Sequence, residues 1–142
     1  MIFDDSLRQF LTDKIEFFRE NPDRLIISVE KGSLKWAGQS LSHRQHYQLL
    51  VEVDEFPESL DANLVIVAVL DWYQRNQDPV PANASPIEFE SYILSNYTTT
   101  VVFTIKVEEV VRVSTDDAGR YIFNTCPPPS INTINITSPS LP

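Results

Sequence analysis

One stretch restricts the possible folds more than any other. Between Ser40 and Phe56 the chain reads SLSHRQHYQLLVEVDEF. From Tyr47 it alternates, with Tyr47, Leu49, Val51 and Val53 pointing one way. Arg44, His46, Gln48, Glu52 and Asp54 point the other way, and Leu50 is the one apolar intruder among them. A period of two over such a length predicts a β-strand with one wet and one buried face. At ~3.4 Å per residue it runs about 40 Å or more, longer than most strands. It is therefore the spine of a sheet, and other elements must cover its apolar side.

Around that spine the remaining periods are readable in order. Ser6–Glu20 predicts a helix whose stripe is Leu7, Phe10, Leu11, Ile15 and Phe18. Ser6 with Gln9 fits a capping box, and Asn21-Pro22 ends the helix. Arg24–Lys31 predicts a strand, Lys31-Gly32-Ser33 a turn, and Leu34–Ala37 a short returning partner. The centre of Leu60–Gln74, from Leu64 to Leu70, is apolar on every side of a helical wheel; the segment's length and Ser59 as N-cap favour a helix over a buried strand. Such a helix needs cover on more than one side, which in a small domain points to a second subunit. Asn76–Pro86, with three prolines, predicts a loop. Ile87–Leu94 and Tyr97–Val113 predict a hairpin closed at Ser95-Asn96. Thr115–Gly119 predicts a turn, and Arg120–Phe123 a short last strand.

The sum is an α+β fold: a two-layer sandwich with an antiparallel sheet and two helices on one face. Residues 1–123 form the single domain. Residues 124–142, rich in Pro, Ser, Thr and Asn, form a tail or arm. A chain of 142 residues buries roughly 68–70% of its unfolded surface.

Composition then excludes classes of function. Twenty acids against eleven bases give a formal charge of −9, which disfavours specific nucleic-acid binding and anionic membranes. One cysteine, Cys126, permits neither an internal disulfide nor a thiolate cluster. No basic, apolar leader and no membrane-length apolar run is present, so a cytosolic protein is expected, and the N-x-[ST] matches at Asn83, Asn96 and Asn135 carry no weight. Three glycines cannot build a phosphate loop.

No constellation supports catalysis, a metal or a cofactor. His43 and His46 stand three apart on a strand and face opposite ways, as interface rather than ligand histidines. Glu52, Asp54, Glu55 and Glu58 lack the glycine bend of a calcium loop. Glu88 and Glu90 share a strand face at about 7 Å, loosely compatible with paired carboxylates, but exposed alternation explains them. The residues singled out for contact with partners are Trp36, Arg44, His46, Tyr92, Ile131 and Ile134. The spacing of Ile131, Ile134 and Ile136 suggests that the tail orders on a neighbour.

The succession Leu7-Arg8…Leu11, Asn21-Pro22-Asp23-Arg24-Leu25, Val29, Gly32, Ser40-Leu41-Ser42, Tyr47-Gln48-Leu49, Asp54, Phe56 and Trp72 resembles the phage tail completion proteins of the P2 R type. The resemblance covers roughly residues 5 to 113 and does not reach the tail beyond Phe123. It implies a non-enzymatic structural protein at the head-proximal end of a contractile tail, made in the host cytoplasm. Such a protein finishes the tube and sheath and readies the tail to join the head. It also implies a ring oligomer of the chain itself, often sixfold (a hexamer), in contact with tube or sheath and neck proteins. No catalytic residue is carried over. The competing readings are a cytosolic α+β ligand-binding or regulatory module and, last, a hydrolase using Glu88 and Glu90.

Overall fold

A computed structural model describes residues 1–94 and 97–126. The predicted spine is there as β2, His43–Pro57, with Tyr47, Leu49, Val51 and Val53 all buried. It pairs antiparallel with β4, Thr98–Thr115, placing Leu49 opposite Ile105 and Val51 opposite Phe103. β1, Leu25–Lys35, lies on the other side of β2, and β3, Ile87–Ile93, on the far side of β4. β5, Tyr121–Cys126, also pairs with β4, along the half that β3 does not reach. The order β1-β2-β4-β3 is antiparallel throughout, so the α+β expectation holds.

Three helices contribute to the core: α1, Phe3–Lys14; α2, Glu16–Glu20; and α3, Asn63–Asn76. Phe3, Leu7, Leu11 and Phe18, with Val65, Ala68, Val69 and Trp72, form one cluster with the odd-numbered residues of β2 and β4. Trp72 anchors the two long helices to each other. Its ring meets Phe3 edge-on at 5.8 Å, and its Nε1–H donates to Ser6 Oγ at 3.0 Å.

Several local expectations are corrected. The first helix is not continuous from Ser6 to Glu20. Ile15 is extended (φ −124°, ψ 111°), which breaks it while keeping Ile15 buried. The carbonyls of Thr12 and Asp13 freed by the break accept hydrogen bonds from Arg19 Nη1 at 3.0 and 2.8 Å. Ser6 is no cap: the helix starts at Phe3, and Ser6 serves Trp72 instead. Ser59 does not cap α3 either; the side chain of Asp61 accepts the Asn63 N–H at 2.9 Å.

The predicted hairpin at Lys31-Gly32-Ser33 is a bulge. β1 passes through it as one strand, and the register against β2 slips between Glu30 and Ser33. The positive φ falls on Lys31 (44°) rather than on the glycine. The last strand is longer than expected and runs past Phe123 to Cys126. The predicted turn residues Ser95 and Asn96, and the tail from 127 onward, lie outside the described residues.

Candidate interaction surfaces

Because opposed residues of an antiparallel pair share a face, the register maps the outer side of the sheet directly. Tyr47–Val107, Leu49–Ile105 and Val51–Phe103 face the helices. The even-numbered residues of β2 and β4 face away from them. On that outer side Arg44 opposes Val110, His46 opposes Glu108, Gln48 opposes Lys106, and Glu52 opposes Val102. β1 adds Lys35 beside Arg44 and Ile26 beside Glu52. β3 adds Glu88, Glu90 and Tyr92 beside Thr104, Val102 and Thr100, and β5 adds Asn124 beside Arg112.

The charges on this side are sorted along the strands. Toward one end lie Lys35, Arg44, His46, Lys106 and Arg112. Glu108 sits among them, with Arg44 Nη1 at 3.0 Å and His46 Nε2 at 3.5 Å from its carboxylate. Toward the other end lie Glu52, Asp54, Glu88 and Glu90. A hydrogen bond between the Glu52 and Asp54 side chains, helped by desolvation and like charge, raises the Glu52 pKa above the ordinary carboxylate value. Tyr92 donates its O–H to Glu90 at 2.8 Å, and that bond with the adjacent charge pushes the phenol pKa upward. Leu50 lies near the middle, while Ile26 and Val102 share the row of Glu52 and Glu90.

The structure thus brings Arg44 and His46 together and puts Tyr92 on the same side at the opposite end. Trp36 is in the β1–β2 loop, 61% exposed, its Nε1–H donating to the Ser40 carbonyl at 2.5 Å. Leu34 and Leu41 near it are also exposed. Ile131 and Ile134 lie outside the described residues.

A second exposed apolar surface belongs to α3. Its inner face is buried through Val65, Ala68, Val69 and Trp72, while Leu64, Val67 and Leu70 are 46%, 61% and 52% exposed. The apolar surplus expected of this helix is therefore real and uncovered among the described residues.

Two polar groups escaped the sequence reading. Glu109 is 1% exposed, on the core side of β4 between Val107 and Val111. Its carboxylate accepts the Tyr47 O–H at 2.5 Å, the Ile2 N–H at 3.2 Å and the Thr125 O–H at 3.4 Å, with the terminal amine at 3.9 Å. Strand parity alone places Glu109 inward; that was the available signal. Gln77, also buried, fills the gap between β3 and β5 along β4. Its amide accepts the Glu108 N–H at 2.8 Å and donates to the Glu108 carbonyl at 3.2 Å, replacing a missing strand residue.

Among the described residues no three His, Cys, Asp or Glu side chains gather to hold a metal. A groove of about 510 Å³ runs over the basic end, between Arg44, His46, Lys106 and the loop at Asp78–Val80. Glu88 and Glu90 line a separate open depression with Leu50, Val102 and Thr104.

Comparison with known proteins gives concordant results. The sequence profile of P2 phage tail completion protein R (GpR) matches residues 1–129. Tail completion protein R of Escherichia phage P2 is 31% identical over 134 residues, covering 91% of this chain and 85% of that relative. No solved structure matches the chain. The profile spans nearly all of the described fold, from α1 through β5, and the chain belongs to the P2 phage tail completion protein R family.

Proposed function

We propose that this tail completion protein acts at the head-proximal end of the tail, without catalysis, by closing into a ring whose copies contact one another and neighbouring tail or neck proteins. Family membership supports the tail role. The observation that carries the self-association is the outer stripe of α3: three large apolar side chains one turn apart, all about half exposed, on a helix that ends a small domain's core. Isolated exposed apolar residues are ordinary, but a continuous stripe on an ordered helix is a contact surface. Trp36 with Leu34 and Leu41 supplies a second such surface at the end of the sheet. Ring closure needs two different patches that meet head to tail, and these two belong to different elements.

On this reading the protein is made in the host cytoplasm and ends in the virion tail. Electron micrographs of particles assembled without it are the direct test. Abnormally long or headless tails are expected. Tails of normal length that join heads at the normal rate would remove the proposal.

A further inference from the structure

The outer side of the sheet is sorted in a way that neither solubility nor a ring through α3 requires. Lys35, Arg44, Lys106 and Arg112 lie toward one end; Glu52, Asp54, Glu88 and Glu90 lie toward the other, with Ile26 and Val102 interleaved in the row of Glu52 and Glu90; Leu50 lies near the middle, one row from Lys106. Glu108 among the bases and Glu30 opposite Gln48 soften the division without reversing it. A solvated face gains nothing from such sorting. Like charges are crowded at the acidic end, where Glu52 holds its proton more tightly because Asp54 is its neighbour.

We infer that this face pairs with the same face of a second copy turned end for end. A twofold axis across the strands sets the basic end of each copy over the acidic end of the other and stacks Leu50 near its own equivalent. The contact is then self-complementary in charge, with Leu50 near its centre. Four strands about 4.8 Å apart and about ten residues long give roughly 650 Å² per copy, or about 1,300 Å² for the pair, inside the range of specific interfaces. Arg44, His46 and Tyr92 all fall within it, and Leu50 has its reason for interrupting the polar row. An isologous contact closes at two, so it is distinct from the head-to-tail contacts of a ring and leaves the outer stripe of α3 open.

The test uses the full chain and two charge-reversed variants, Arg44→Glu/Lys106→Glu and Glu88→Lys/Glu90→Lys, followed by analytical ultracentrifugation at low and high salt. All four positions are on the outer face, and thermal melts check that both variants fold. The wild type is expected to pair at tens of micromolar and to dissociate by about tenfold in affinity as salt rises. Each variant alone should lose the pairing step, because like now faces like. An equimolar mixture of the two should restore it as a mixed pair, which a folding defect cannot mimic. Undiminished self-association of both variants overturns the inference and leaves the ring standing, and so does a mixture that stays apart. A wild type that never self-associates overturns both.

Discussion

Glu109 and Tyr47 show how one buried pair fixes the start of the chain. The carboxylate has lost its water, and four donors replace it: Tyr47, Ile2, Thr125 and, at longer range, the terminal amine. Removing the acceptor strands a buried phenol, while removing the phenol leaves the carboxylate one donor short. Glu109→Ala should therefore cost about 2–3 kcal/mol and Tyr47→Phe about 1–2 kcal/mol, with the double variant less destabilised than the sum. Urea denaturation checks all three; strict additivity would show that the two side chains do not act on each other. The same phenol gives a pH signature. Burial, then the Glu109 hydrogen bond and charge, pushes the Tyr47 pKa well above the usual phenol value, and burial with the Glu108 charge pushes Tyr73 up to about 12. In the unfolded chain both ionise near pH ~10. Their contribution is thus complete below pH ~10 and is lost as pH climbs toward the folded values, at up to about 1.4 kcal/mol per pH unit for each tyrosine. Stability measured from pH 9 to 12 should fall with that slope, and Tyr47→Phe/Tyr73→Phe should flatten it. Tyr47 could be read as inward from alternation alone. Glu109 follows the same parity, but what makes a charge tolerable there lies 62 residues away in Tyr47.

At the scale of elements, β4 is the strand that β2, β3 and β5 all border, and Gln77 completes its edge. β3 ends its pairing at Ile105 and β5 begins at Val110, leaving Glu108 with a backbone N–H and C=O to satisfy. The Gln77 amide does both jobs at once. Gln77→Glu keeps the acceptor but turns the donor into a second acceptor against the Glu108 carbonyl. It should cost about 2 kcal/mol, as should Gln77→Ala. Hydrogen exchange reads this directly: the Glu108 amide should lose protection in the alanine variant while those of β2 keep theirs. Equal protection in both proteins would mean that another group closes the gap. Such gaps are invisible in sequence, because periodicity reports which way residues face and not what lies beside a strand. The same limit explains the bulge in β1. Gly32 invited a turn, but His46 and Tyr47 on β2 hold the chain straight through it, and Lys31 accepts the positive φ. It explains the break at Ile15 too, where helical spacing continues across a residue that is extended. What alternation and helical stripes do determine came through: the long central strands, the apolar α3 and the antiparallel pairing of β3 with β4.

For the whole molecule, the test of purpose is to separate stability from assembly. A residue that serves the fold is buried, and its loss weakens the monomer. A residue that serves a neighbour is exposed, and its loss changes nothing until copies meet. Leu64, Val67 and Leu70 are of the second kind, on the same helix whose Val65, Val69 and Trp72 are of the first. The substitutions Leu64→Gln, Val67→Gln and Leu70→Gln remove the stripe without adding charge, and glutamine suits a helix. Monomer stability should stay within about 0.5 kcal/mol per site, since none of the three fills the core. Assembly beyond the twofold pair, measured by light scattering, should be lost, and phage carrying the triple change should yield tails that fail to be completed. By contrast Val69→Ala, one position from the stripe, should cost about 2 kcal/mol of stability through the cavity it leaves and spare the contact at temperatures where the chain remains folded. If the glutamine variant associates and completes tails as the wild type does, α3 is only a wall of the core, and the surface that joins copies has to be sought at the Trp36 end of the sheet.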